Sequence, residues 1–193
     1  MIHKALIVSI LLLASGVVAA QGVKEKGGYI GGAFGVTEFD DDGLFDGSGV
    51  VVDDKDSSIQ LYGGYKFLKY FALEGRLMDL GSYTFSDQFN PSANITVDTT
   101  AVTVNAVGIL PLGSTLWELF GQLGFGQINF EATGLSDFDE FLGSAGIGVR
   151  VTPTEHFSIA LQVDAYAWED DSVGGQTFDM SIATTQVAFQ YNF

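Results

Sequence analysis

Cysteine is absent from the 193 residues. That excludes a disulfide framework, thiolate-held zinc or iron–sulfur sites, and any cysteine nucleophile. Histidine appears only twice, too little for an imidazole metal cluster. Positive charge is scarce as well: 8 Lys and Arg stand against 24 Asp and Glu, a formal charge of −16. So acidic a chain is a poor ligand for nucleic acid, whose affinity rests on Lys and Arg meeting phosphate. What is present is apolar and flexible, with 47% hydrophobic residues, 17% charged residues and 25 Gly. That composition excludes a disordered chain, and the length suits one domain.

Residues 1–20, MIHKALIVSILLLASGVVAA, read as an export signal. His3 and Lys4 make a short basic start, residues 5–13 are apolar apart from Ser9, and Val18, Ala19 and Ala20 precede an expected cut before Gln21. The apolar stretch is shorter than the ~20 residues a helical bilayer span needs. The expected organisation is therefore a signal peptide over 1–20 and one domain over 21–193. Every later apolar stretch is broken within a few residues by Gly, Thr, Gln or charge.

From Gly27 onward the dominant period is two. Ile59, Leu61, Gly63, Tyr65 and Phe67 alternate with Gln60, Tyr62, Gly64 and Lys66. Phe157, Ile159, Leu161, Val163 and Ala165 alternate with Ser158, Ala160, Gln162, Asp164 and Tyr166. Such alternation predicts strands. Eight are expected, over 28–37, 57–67, 71–83, 97–110, 116–128, 141–151, 156–166 and 180–193. Their connections alternate strictly between long polar ones (38–56, 84–96, 129–140, 167–179) and short ones (68–70, 111–115, 152–155). Short turns at one end and long loops at the other are the layout of a membrane-spanning β-barrel.

One strand face is almost free of charge. The other carries Lys66, Glu74, Arg76, Glu118, Arg150 and Asp164, three of each sign, with Gly31, Gly35, Gly64, Gly124, Gly126, Gly146 and Gly148. A soluble, lipocalin-like barrel would turn the apolar face inward. In a bilayer the assignment inverts, because lipid is the outer solvent. Balanced charges beside small residues suit the packed interior of a narrow barrel, so inversion is expected. The predicted fold is all-β, an eight-stranded antiparallel up-and-down transmembrane β-barrel. Aromatic girdles are expected from Trp117, Phe157, Tyr191 and Phe193 at the short-turn end, and from Tyr83, Phe141, Tyr166 and Trp168 at the long-loop end.

The last stretch, VAFQYNF, alternates Val187, Phe189, Tyr191 and Phe193 on one face. With it, the stretch GGYKFLKYFALEGRLMDLGSYTF (63–85), the opening GYIGGAFG (28–35), the LPL at 110–112 and GIGVRVTP (146–153) resemble the small outer-membrane β-barrel proteins of Gram-negative bacteria, of the OmpA and OmpX type. The resemblance implies residence in the outer membrane, contact with its lipid and lipopolysaccharide, and a monomer. It also implies that Val187, Phe189, Tyr191 and Phe193 serve as a signal to the barrel-assembly machinery. The peptidoglycan-binding domain of longer relatives has no counterpart here, so no cell-wall tether is expected.

The long loops, with Asp98 just past the second of them, hold 18 of the acids against a single cation, Lys55. Asp40, Asp42 and Asp46 are the candidates for weak Ca²⁺ or Mg²⁺ binding, since hard cations prefer carboxylate oxygens. Their spacing does not match an EF-hand loop, and a solvated, self-repelling surface is the preferred reading of them. Lys66, Glu74, Arg76, Arg150 and Asp164 are expected to form a polar network filling the barrel, which leaves a narrow porin-like channel as the alternative. His156 and Ser158 fall two apart on one strand, the spacing of a lipid A-modifying hydrolase. They lie at the short-turn end and lack an orienting carboxylate, so no catalytic site is expected. No cofactor is expected either. The functional expectation is a structural or surface-interaction protein displaying acidic extracellular loops.

Overall fold

The computed structural model describes residues 26–40, 50–53, 55–87, 90–113, 116–132, 138–173 and 176–193, with side chains described outside 50–53, 85–95, 132–138 and 169–179. The expected signal segment therefore lies outside the described residues. Among the described residues there are nine strands: β1 (Gly27–Asp40), β2 (Val50–Asp53), β3 (Lys55–Leu68), β4 (Phe71–Asp87), β5 (Asn90–Pro111), β6 (Trp117–Ala132), β7 (Phe138–Thr154), β8 (Phe157–Val173) and β9 (Gln176–Asn192). Eight of them form the barrel wall, each antiparallel to its sequence neighbour, and β1 pairs with β9 from Tyr29↔Asn192 to Asp40↔Ser181 to close it. The four-residue β2 extends the line of β3 along the far end of β4, from Val50↔Asp87 to Asp53↔Thr84.

The strands run further than the hydrophobic pattern indicates. Most of 84–96, expected as loop, is ladder, with Thr84 opposite Thr96 and Phe85 opposite Ile95. The segment 167–179 behaves alike, pairing Trp168 with Met180 and Asp170 with Phe178. Backbone hydrogen bonding carries these strands past the apolar band, where water replaces lipid and side-chain alternation no longer reports it. The expected turn at 152–155 is shifted: Thr154 pairs with Phe157, so the reversal falls on Glu155 and His156.

One irregularity shapes the long-loop end. In β4 an extra residue between Asp79 and Gly81 breaks the register with β5, and Gly81 takes φ +91°. An added Cβ there would also lie 2.7 Å from Asp56 Cβ, so glycine is required on both counts. The bulge is pinned by carboxylates. The Gly81 amide donates to Asp79 Oδ1 at 3.0 Å, and the Ser82 amide to Asp56 Oδ2 at 2.7 Å. The inserted Leu80 turns inward, as does Tyr83 beyond the bulge, and the Tyr83 hydroxyl donates to the Leu80 carbonyl at 3.0 Å.

The apolar face is outside. Leu61, Ile147, Leu161 and Phe189 all point away from the axis, Ile147 with 70% of its surface open, while Arg76 and Asp164 are buried within. Hydrocarbon is the only solvent that makes such a wall favourable over a closed sheet. The girdle expectation needs correction at the long-loop end. Phe141 faces out, but Tyr83, Tyr166 and Trp168 are buried inside the barrel. At the other end Phe157, Tyr191 and Phe193 are exposed as expected, joined by Tyr65, Phe67 and Tyr70, while Trp117 is half-buried.

Candidate functional site

The lumen is stacked in tiers along the barrel axis. Near the short turns, Lys66 on β3, Glu118 on β6 and Arg150 on β7 converge. Glu118 sits between two cations, 3.4 Å from Lys66 Nζ and 3.6 Å from Arg150 Nη1. The Arg150 guanidinium also lies over the Phe120 ring at 4.7 Å. Tyr29, Tyr62 and Phe120 fill the spaces that facing glycines vacate. A Cβ on Gly64 would stand 2.5 Å from the Tyr29 ring, and one on Gly31 or Gly148 would meet Tyr62 or Phe120.

The middle tier centres on Arg76 from β4. Its Nε donates to Glu74 Oε1 at 2.5 Å, its Nη1 to Asp164 Oδ2 at 3.2 Å, and its Nη2 to Gln122 Oε1. Gln122 and Gln162 donate their amides onward to the two oxygens of Asp164, and the Tyr29 hydroxyl donates to Glu74 Oε2 at 2.9 Å. Gln162 continues the chain to Gln186, and Gln186 to the Ser58 hydroxyl. Arg76, Glu74 and Asp164 are all at least nine-tenths buried. The structure thus brings Glu74, Arg76 and Asp164 together, and gathers Lys66 and Arg150 around Glu118.

Above this, toward the long loops, the lumen turns apolar. Met78, Leu80, Tyr83, Ala101, Ile128, Phe130, Leu142, Tyr166, Trp168 and Ile182 pack into one cluster, with Phe39, Val97 and Met180 against it. Ring centroids of Phe39 and Tyr83 are 5.2 Å apart, and those of Phe130 and Trp168 are 5.3 Å apart, close enough for direct aromatic packing. Sequence reasoning missed this plug and the glutamine relay. The signal was present: the inward phase of β6 runs Gly124, Gly126, Ile128, Phe130, and Gln60, Gln122, Gln162, Gln186 and Gln190 all share the inward phase of their strands.

The remaining candidates are scattered. Asp40 is exposed at the end of β1, while Asp42 and Asp46 fall outside the described residues. Among the described residues no group of three or more His, Asp or Glu is placed to hold a metal ion. Asp56, at the long-loop end, is held by backbone amides. Hydrogen bonds from the Ser82 and Ser57 amides hold its carboxyl below the usual range. His156 and Ser158 do not share a face. His156 is exposed in the turn, stacked on Tyr191 at 5.6 Å with Nδ1 2.9 Å from the Asn192 carbonyl, whereas Ser158 is buried against Thr152 and Asn192. Phe189, Tyr191 and Phe193 line the outer wall, and Val187 is half-buried on that same face.

A closed antiparallel barrel, apolar outside and filled within, defines an integral outer-membrane barrel protein. The family model for the outer membrane protein beta-barrel domain matches residues 7–193, and the chain belongs to that family. Among solved structures it is similar to Neisserial surface protein A, NspA, at 9% identity and a TM-score of 0.62, covering 90% of this chain and 100% of that one. OprG from Pseudomonas aeruginosa aligns at 15% identity and a TM-score of 0.56, covering 89% and 98%. Ail, the attachment invasion locus protein of Yersinia pestis, aligns at 18% identity and a TM-score of 0.54, covering 88% and 100%. At these identities the likeness is one of fold. No curated protein matches the sequence significantly.

Proposed function

We propose that the protein is a structural and surface-interaction element of the outer membrane, a rigid filled barrel that holds acidic segments outside the cell. The observation that carries this reading is the occupied lumen, with ion pairs and glutamines in the lower part and the aromatic cluster above. An eight-stranded wall encloses a space just wide enough for side chains, and here they fill it. The 18 acids in and beside the long segments repel sulfated and phosphorylated polyanions. The Ail structure was solved with a heparin analogue; the charge of this chain favours cationic partners instead, or lipopolysaccharide phosphates bridged by divalent cations. Val187, Phe189, Tyr191 and Phe193, as an outward apolar row on the last strand, suit the role of assembly signal. Lipid A hydrolysis gains no support from His156 and Ser158, which hold separate partners.

The test is reconstitution of heat-modifiable, folded barrel into planar bilayers. The expected result is no discrete conductance step. Reproducible unitary steps from folded protein would overturn the filled-barrel reading in favour of the porin-like channel.

A further inference from the structure

The short-turn end of the lumen has a feature that the filled-barrel reading does not use. A cavity of about 20 Å³ opens there, lined by Lys66, Arg150, Glu118 and Gln190, with Lys26 and Phe193 at its rim. The first four are at least nine-tenths buried. Their charges do not balance: two cations meet one carboxylate, and at the mouth Lys26 and Glu155 add one charge of each sign. Arg150 is held only loosely, by the 3.6 Å contact with Glu118 and by the Phe120 ring face, which leaves guanidinium donors to spare at the cavity wall. In the same wall Gln190 Oε1 is buried without a hydrogen-bond partner, and Glu118 Oε2 has only its 3.6 Å contact with Arg150 Nη1. A buried polar atom without a partner calls for a water, an ion or another bound group to satisfy it.

We propose that this vestibule binds a small protonated oxyanion from the short-turn side, hydrogen phosphate being the matching chemistry. Lys66 and Arg150 donate to its anionic oxygens, and its P–OH donates to Glu118 Oε2 or Gln190 Oε1. The surplus positive charge of the buried triad attracts the anion. The mixed donors and acceptors then select an oxyanion that carries a proton over one that does not. The cavity holds little more than a water-sized sphere, so only part of the anion sits inside and the rest faces the open mouth. A terminal phosphate on a larger molecule meets the same wall.

The test is titration of the folded protein in maltoside micelles with inorganic phosphate, sulfate and glycerol phosphate, read by calorimetry and by phosphorus NMR line width. Saturable one-to-one phosphate binding is expected, weakened roughly tenfold or more by Arg150→Gln and unchanged by Lys69→Gln, an exposed lysine on a short turn. Glycerol phosphate binding as tightly as phosphate assigns the site to phosphate esters, and weaker binding assigns it to the free ion. No saturation at millimolar phosphate, or equal loss in Lys69→Gln, would overturn the site. Sulfate binding as tightly as phosphate overturns the role of Glu118 and Gln190, and this comparison needs no variant. It therefore decides the matter even where Arg150→Gln does not fold.

Discussion

Replacing Arg76 by Gln would leave Glu74 and Asp164 facing each other across the lumen with no cation between them. Arg76 makes a 2.5 Å bond to Glu74, a 3.2 Å bond to Asp164 and a third bond to Gln122, all in the buried middle of the barrel. Removing one partner of a buried ion pair costs about 3–5 kcal/mol, because the other is left uncompensated. With a urea dependence of about 1–3 kcal/mol per molar, the unfolding midpoint should fall by about 1–5 M. The matched control is Lys55→Gln. Its pair with Glu38 spans 3.3 Å, but the two side chains are 63% and 62% exposed, so its loss should cost about 0–1 kcal/mol. The assay is urea titration of barrel in vesicles, read by tryptophan emission and by band shift on unheated gels. The triple change Glu74→Gln, Arg76→Gln, Asp164→Asn should recover much of the loss, since it removes the stranded charges together. If Arg76→Gln moves the midpoint no more than Lys55→Gln, the network contributes no more than a surface pair and the reasoning fails.

Ile147→Arg places a guanidinium on the exposed wall and should cost about 2–4 kcal/mol in vesicles, whereas a wall facing water would tolerate it. Gly126→Ala should destabilise by about 1–3 kcal/mol, because its Cβ would collide with the Val102 carbonyl, while Gly75→Ala, with nothing within 4 Å, should fall within about 0.5 kcal/mol of the parent in the same titration. Asp56 predicts a pH signature at the Gly81 bulge. Its carboxyl titrates below its usual value of 3.8 when folded, so its contribution is fully present above that value and is lost as pH falls through the lower folded one. Amide exchange at Ser82 should therefore be faster in Asp56→Ala than in the parent near neutrality, and the difference should vanish in strong acid. A difference that persists there would assign the protection to packing.

Strand count, handedness of the faces and the paired charges were legible because alternation reports solvent on each side, and lipid outside gives a strong contrast at residues such as Leu61 against Gln60. The plug was not legible, because Ile128 and Leu142 look the same whether a residue faces lipid or a greasy lumen. Only their phase relative to Gly126 and Ser144 separates the two. Strand ends failed for a related reason: above the bilayer both faces of the β4–β5 and β8–β9 hairpins meet water, and the pattern fades although the ladder continues. Tyr83 was misplaced because the extra residue before Gly81 shifts the phase, and a bulge of one residue leaves little trace beyond a glycine.

The seam between β1 and β9 joins Tyr29 to Asn192 and Asp40 to Ser181. The two halves of that seam are the first and last of the described strands along the chain, so the first waits for the last with its edge amides unsatisfied. Until then it is an open template for any passing strand, its own or a neighbour's. Closing so long a loop is entropically slow, so the ladder that makes the finished barrel durable also makes its precursor hazardous. The β1 edge therefore stays open to mispairing until β9 reaches it.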